Sequence, residues 1–364
     1  MKLTLIAGAR PNFMKIAPII ETINNEKKKG ANIHYRLIHT GQHYDEKMSK
    51  SFFHELQIPE PDKNLECGGG TQAEQTATIM VKFEQELLEF PADLVLVVGD
   101  VTSTMACAIV SQKLHTKVAH VEAGIRSGDW SMPEEINRLV TDSITNFFFT
   151  TSQIANNNLL NSGIDSSRIF FVGNTIIDTL LKQIPRFKMP PLFTDSGLKN
   201  AEYFMLTLHR PANVDEASKI DESLVEITSS SRGLPVIFPV HPRTRKQLDS
   251  LGRTYPNLIL TDPLGYLEFN FLVKNAKAVI TDSGGITEET TVLGIPCMTL
   301  RDSTERPETC TIGTNELLGT NPKAIKPAME ILFNGEWKKG AIPELWDGKT
   351  SERIVKHLIE LFPS

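Results

Sequence analysis

The chain has 364 residues, and its 38 Lys+Arg against 44 Asp+Glu leave a formal net charge of −6. At 40% hydrophobic and 23% charged residues it can bury a substantial core, which excludes a disordered acidic chain. The acidic balance argues against a dedicated nucleic-acid binder, because such proteins concentrate Lys and Arg against phosphates. The one dense basic run, Lys27-Lys28-Lys29, reads as a solvated helix end.

The apolar run Leu3 to Ala7 is too short for the core of a secretion signal and reads as a first buried strand. No stretch approaches the roughly 18 consecutive apolar residues of a membrane span. The four cysteines, Cys67, Cys107, Cys297 and Cys310, form no CxxC pair and read as reduced thiols. These features predict a cytoplasmic protein without membrane or nucleic-acid partners.

Short apolar runs then alternate with amphipathic stretches. Strands are predicted at Leu3–Ala7, His34–His39, Leu94–Val98, Val118–Val121, Phe147–Thr150 and Ile169–Val172, with helical spacing over Phe13–Ile23 and Thr76–Phe90. After a Pro-rich interval, Pro185 to Gly197, the pattern restarts with strands at Tyr203–Leu208, Val236–Val240, Leu258–Thr261, Ala278–Thr281 and Cys297–Leu300. Runs apolar on both faces and separated by helices indicate parallel βαβ units. The predicted fold class is α/β, with two doubly wound parallel sheets and a cleft between them, and ligands of such sheets bind beyond the carboxyl ends of strands.

Polar clusters follow several of those strands. Gly8-Ala9-Arg10-Pro11-Asn12 leads into a helix holding Lys15, and a small-residue turn at a helix N-terminus suits a phosphate. Thr281-Asp282-Ser283-Gly284-Gly285 repeats the device, with Glu289 one turn onward as an acceptor for ribose hydroxyls. Asp100 and Glu122 end neighbouring strands, and Pro133-Glu134-Glu135 opens the next helix. Converging carboxylates repel, shift one another's pKa and act as acid and base, whereas Glu134 and Glu135 alone also fit as dipole-compensating residues. His209 and His241 each follow a strand, where a cleft ligand would lie. His39 and His43 have i,i+4 spacing, but Gly41 disfavours a helix and no third ligand is evident, so no metal site is predicted.

Ten motifs in order then resemble one family: GARPNFMK (Gly8 to Lys15), HTGQHYD (His39 to Asp45), VVGD (Val97 to Asp100), HVEAGIRS (His120 to Ser127), MPEEINR (Met132 to Arg138), VGNTIID (Val172 to Asp178), TLHR (Thr207 to Arg210), HPRTR (His241 to Arg245), TDSGG (Thr281 to Gly285) and LRDSTERPE (Leu300 to Glu308). Together they are similar to the non-hydrolysing UDP-N-acetylglucosamine 2-epimerases. The resemblance implies a GT-B-like architecture of two Rossmann-like domains, here 1–172 and 173–350, with a C-terminal helix, 351–364, packing back on the first. It also implies a cytoplasmic homodimer and a UDP-sugar substrate. Carried over by motif, Asp100, Glu122, Glu134 and His209 would do the chemistry. Arg10, Lys15, Arg138, His241, Ser283, Gly284, Gly285, Glu289 and Arg301 would bind substrate.

The implied reaction converts UDP-N-acetylglucosamine to UDP-N-acetylmannosamine, a precursor for surface polysaccharides. UDP leaves C1, a 2-acetamidoglucal forms, and UDP re-adds after C2 is protonated from the other face. Acid/base groups on opposite faces are needed, for which Asp100 and Glu134 are the candidates. Glu122 would tune them, and His209 with Arg10 would stabilise the departing diphosphate. No net redox change occurs, so neither NAD nor a metal is required. The alternatives are the same chemistry on a UDP-2,3-diacetamido-glucuronate, a hydrolysing relative, a glycosyltransferase of the same architecture and a non-catalytic nucleotide-sugar sensor. Family members with an allosteric substrate site carry an Arg and a further Gln in the loop matching His39 to Met48, where this chain has Gln42-His43-Tyr44-Asp45-Glu46, which argues against such a site.

Overall fold

The computed structural model describes residues 1–41, 53, 55–240 and 242–363. The chain forms two compact units, Met1–Lys182 with Glu344–Ser364, and Gln183–Pro343.

The first unit is built on seven parallel strands: β1 (Lys2–Ala7), β2 (His34–His39), β3 (Lys63–Asn64), β4 (Leu94–Val98), β5 (Lys117–Val121), β6 (Phe147–Thr150) and β7 (Ile169–Phe171). Their order is β3-β2-β1-β4-β5-β6-β7. All five side chains of β4 are buried, those of Leu94, Leu96 and Val98 on one face and Val95 and Val97 on the other, so both faces of the sheet are covered. Burying each such side chain contributes about 1.5–3 kcal/mol, which is why an uninterrupted apolar run settles at the centre. The helix Gln72–Glu89 starts where Thr71 caps it: Glu74 N donates to Thr71 Oγ1 at 3.2 Å, and Thr71 N donates to Glu74 Oε2 at 2.8 Å. Its buried face carries Ile79, Phe83 and Leu87, each four residues from the next.

The second unit has six parallel strands: β8 (Phe204–Thr207), β9 (Val236–Pro239), β10 (Leu258–Thr261), β11 (Ala278–Thr281), β12 (Cys297–Thr299) and β13 (Asn315–Leu317), in the order β10-β9-β8-β11-β12-β13. Both sheets therefore have the doubly wound Rossmann order, with the direction of winding reversing between β1 and β4 and between β8 and β11. Ligand sites of such sheets form beyond the strand ends at that reversal.

The structure departs from the sequence expectations in two places. The edge strands β3 and β13 have only two and three residues, Lys-Asn and Asn-Glu-Leu, so they carry no apolar run to detect. The first unit extends to Lys182 and is rejoined at Glu344, against the expected 172 and 351. The helix Thr175–Gln183 belongs to it because Thr179 Oγ1 donates to Met14 O at 2.6 Å and Lys182 pairs with Glu21 at 2.5 Å. The returning segment is held by Trp346 Nε1 donating to Thr151 O at 3.0 Å. Asp178 accepts from Thr350 N at 3.0 Å and Ser351 N at 2.7 Å, capping the helix Thr350–Leu361 from a distance. Gly173 is obligatory beneath this strap: its φ is +100°, and a Cβ there would lie 2.2 Å from Leu345 O. The four cysteines are free thiols. Among the described residues no helix is long and apolar enough to cross a membrane, and no three His, Cys, Asp or Glu side chains gather as a metal-holding group.

Candidate active site

In the first unit, β1 ends in the turn that opens the helix Arg10–Lys28. Asn12 Oδ1 accepts from Gly8 N at 3.2 Å and Ala9 N at 2.9 Å, while its Nδ2 donates to Val98 O at 2.9 Å. The two backbone donors expected to face a phosphate are therefore spent on tying the turn to the end of β4. Lys15 does not stand free for a phosphate either, since its Nζ forms a buried ion pair with Glu122 Oε2. The side chain of Arg10 and the whole of His241 lie outside the described part of the structure, as does the segment Gln42 to Glu46.

The carboxylates at the ends of β4 and β5 are not a bare, mutually repelling cluster as the sequence suggested, because each is matched with its own cation. Glu122 pairs with Lys15, and Asp100 Oδ2 accepts from Arg138 Nη2 at 2.6 Å and Nε at 3.1 Å. Glycine at position 99 makes room for the first pair, as a Cβ there would lie 3.0 Å from Lys15 Nζ and 3.2 Å from Glu122 Oε2. Glu122 itself has a left-handed backbone, φ 69°, a conformation that costs a non-glycine residue about 1–3 kcal/mol. Its N–H is held on Phe149 O at 3.0 Å. Such strain is found where a side chain must be aimed.

Arg138 is buried and bridges Asp100 to Glu135, donating Nη1 to Glu135 Oε2 at 2.8 Å. Burial would raise the Glu135 carboxyl, but hydrogen bonds from Ser127 N, Arg138, the Ser127 hydroxyl and Gly128 N hold it below the usual range. Glu135 is thereby a structural acceptor that folds the loop before the helix Pro133–Ile144. Glu134, next to it, is half-buried and takes no hydrogen bond or ion pair among the described residues. Neighbours in sequence, the two carboxylates therefore have dissimilar surroundings, with Glu135 spent on the loop and on Arg138.

Behind these groups, His120 is fully buried between two acceptors, with Nδ1 2.7 Å from Asp142 Oδ1 and Nε2 2.8 Å from Gly99 O. Asp142 also accepts from Gly124 N at 3.0 Å and pairs with Arg126 at 2.6 Å. Burial pushes the Asp142 carboxyl up, but the His120 hydrogen bond and charge, with Arg126, bring it below its ordinary value. This network ties the ends of β4 and β5 to the helix that carries Glu134.

In the second unit, Asp282 follows β11 and is completely buried. It accepts from His209 N at 3.0 Å, Arg210 N at 2.9 Å, Asn213 Nδ2 at 3.0 Å and His209 Nδ1 at 2.7 Å. Burial again opposes ionisation, and the His209 bond and charge, together with Asn213 and Arg210 N, overcome it and lower the Asp282 pKa. Ser283 is the N-cap of the helix Gly284–Leu293, yet its side chain makes no capping bond. A Cβ on Gly284 would lie 2.7 Å from Glu305 Oε1, whereas one on Gly285 would meet nothing within 4 Å. Arg301 is buried; Nη2 donates to Glu305 Oε2 at 2.5 Å, and Nη1 is buried without a hydrogen-bond partner among the described residues. Glu289 is buried on the same helix, accepting from the Tyr266 hydroxyl at 2.7 Å, and burial raises its carboxyl to about 7.

The structure thus groups Asp100 with Arg138, Glu122 with Lys15, and His209, Ser283, Gly284 and Arg301 around β8 and β11. Sequence reasoning passed over Asp282, Asp142 and the committed role of Glu135. Asp282 was detectable, since it is a carboxylate immediately after a strand, the criterion that singled out Asp100 and Glu122. Asp142 lies inside a helix and carries no such signal.

Residues 25–359 match the model of the UDP-N-acetylglucosamine 2-epimerase family. The UDP-N-acetylglucosamine 2-epimerase of Methanocaldococcus jannaschii is 42% identical over 374 residues, covering 98% of this chain and 99% of that one. The UDP-2,3-diacetamido-2,3-dideoxy-D-glucuronate 2-epimerase of Pseudomonas aeruginosa is 37% identical, covering 99% of this chain and all of that one (100%). The crystal structure of the M. jannaschii enzyme in complex with UDP-GlcNAc and UDP superposes with a TM-score of 0.88, covering 99% and 100% of the two chains. The chain therefore belongs to the UDP-N-acetylglucosamine 2-epimerase family.

Proposed function

We propose that the protein interconverts UDP-N-acetylglucosamine and UDP-N-acetylmannosamine, in line with the relatives that bear this name. The observation that carries the reading is the contrast among the carboxylates after β4 and β5: Asp100 and Glu122 are held by cations, and Glu134 is uncommitted at the start of the next helix. Inversion at C2 needs one group to remove the proton and another to return it on the opposite face. Asp100 and Glu134 take these roles, with Glu122 and Lys15 fixing the local charge. By motif we assign His209 and Arg10 to stabilising the departing diphosphate, Ser283, Gly284, Gly285, Arg301 and His241 to the nucleotide, and Glu289 to the ribose. Loss of UDP from C1 precedes or accompanies proton removal, because the oxocarbenium character at C1 is what acidifies C2. The protein acts as a cytoplasmic homodimer, which sedimentation of the purified chain tests.

Proton NMR of the protein with UDP-N-acetylglucosamine in D2O is the direct experiment. Formation of UDP-N-acetylmannosamine with deuterium at C2 is expected. An unchanged spectrum from folded protein that binds UDP would refute the assignment. The P. aeruginosa relative favours a second reading, the diacetamido-uronate as substrate. Turnover of that sugar alone in a substrate panel would establish it instead.

A further inference from the structure

His209 and Asp282 are 73 positions apart, yet they form the most fully bonded charged group after β8 and β11. The two carboxylate oxygens have separate tasks. Oδ2 accepts from His209 N at 3.0 Å, Arg210 N at 2.9 Å and Asn213 Nδ2 at 3.0 Å, which folds the turn after β8. Oδ1 faces the imidazole Nδ1 at 2.7 Å and has only a longer contact, 3.2 Å, to His209 N. Asn213 Nδ2 also reaches Leu300 O at 3.1 Å, so the turn is anchored to the end of β12 as well. Asp282 is wholly buried, while the imidazole is 59% exposed. A turn cap needs only Oδ2. The second oxygen, aimed at a ring nitrogen of an exposed histidine, adds to the cap only the longer bond from His209 N.

An ionised carboxylate only accepts hydrogen bonds, so Nδ1 of His209 must carry its hydrogen. Nε2 is then the ring position open to a ligand. We infer that Asp282 is a positioning residue for the reaction, holding His209 with hydrogen on Nδ1 so that Nε2 exchanges a proton with the departing UDP. This rests on the role of His209 proposed above. When the C1–O bond breaks, its electron pair goes to the β-phosphate oxygen, and that oxygen takes the Nε2 proton. The neutral ring left behind keeps its Nδ1 hydrogen on Asp282. Re-addition returns the proton to Nε2. Asp282 stays ionised throughout, because it orients the ring and balances its charge without receiving the proton, the division of labour seen in histidine–carboxylate pairs elsewhere.

Asp282→Asn separates the two tasks. An amide oxygen in place of Oδ2 still accepts from the turn's three donors. The amide nitrogen in place of Oδ1 donates, so Nδ1 of His209 must lose its hydrogen and Nε2 must gain it. Long-range proton–nitrogen NMR of ¹⁵N-histidine-labelled protein, at a pH well above the ordinary imidazole range, reads this directly, and His209→Asn identifies the signal. The wild type is expected to show a protonated Nδ1 and a bare Nε2, and Asp282→Asn the reverse. The variant's kcat is expected to fall about 100-fold, with KM within about threefold of wild type. Adding Asp282→Asn to His209→Asn is expected to cost no more than about twofold further.

A wild-type ring with its hydrogen on Nε2 overturns the inference, and needs no variant to fold. Additive losses in the double variant also overturn it, because they show Asp282 acting on the turn alone. His209→Asn at full kcat would remove the chemistry the inference depends on. Failure of the wild type to epimerise any UDP-sugar would instead strike at the proposed function, and leaves the NMR result as a separate observation.

Discussion

Replacing Glu289 by glutamine is expected to remove a pH dependence from the stability of the second unit. The carboxyl is buried, and burial raises it from 4.5 to about 7 against the hydrogen bond from Tyr266. Below pH 4.5 it is neutral in both folded and unfolded chains and costs nothing. Between 4.5 and about 7 the unfolded chain gives up the proton while the folded one keeps it, so stability falls as pH rises. Above about 7 both forms are ionised and the loss is complete. A gap of about 2.5 in pKa, at about 1.4 kcal/mol for each pH unit, makes the full loss about 3–4 kcal/mol. Glutamine keeps an oxygen for the Tyr266 hydroxyl but has no proton to lose. Urea unfolding followed by circular dichroism, from about pH 5 to about pH 8.5, should show wild type losing ground to Glu289→Gln up to about pH 7 and then holding a constant deficit. Two curves that stay parallel over that range would refute the reasoning, because they would mean that the carboxylate keeps its water or gains a cation.

Two further changes test the framework of the first unit. Lys15→Met removes the cation of the buried Glu122 carboxylate and is expected to destabilise the fold by about 3–5 kcal/mol, with much of the loss recovered in Lys15→Met/Glu122→Gln; urea unfolding of the three proteins measures it. Asp178→Ala takes the acceptor from Thr350 N and Ser351 N. It is expected to cost about 1–3 kcal/mol and to speed proteolysis in the strap 344–349, a change that peptide mapping would detect.

Much of the fold was legible because its signal is local. β4 reads as Leu-Val-Leu-Val-Val whatever surrounds it, and the capped helix Gln72–Glu89 announces itself by Thr71 and Glu74. Strands as short as Lys63–Asn64 are created by their neighbours, since one backbone ladder to β2 suffices at a sheet edge and no apolar side chain is needed. The boundary of the first unit shows the same limit. Thr175–Gln183 has the periodicity of any amphipathic helix, and only its contacts with Met14, Glu21 and the strap assign it to that sheet.

The candidate site divides along the same line. Motif order and the placement of Asp100, Glu122, His209 and Ser283 just after strands were determined by the sequence, because the doubly wound topology brings residues after parallel strands to one edge of the sheet. Which charge meets which was decided only by the tertiary structure. Lys15 and Glu122 are 107 positions apart, and nothing in either segment names the other. Glu134 and Glu135 are neighbours of identical chemistry, yet the helix turns one onto Arg138 and the Ser127 loop and leaves the other uncommitted. Acidity, tautomer and commitment to an ion pair depend on distances of a few ångströms in a dry interior, and those distances are set by how the sheet and helices pack.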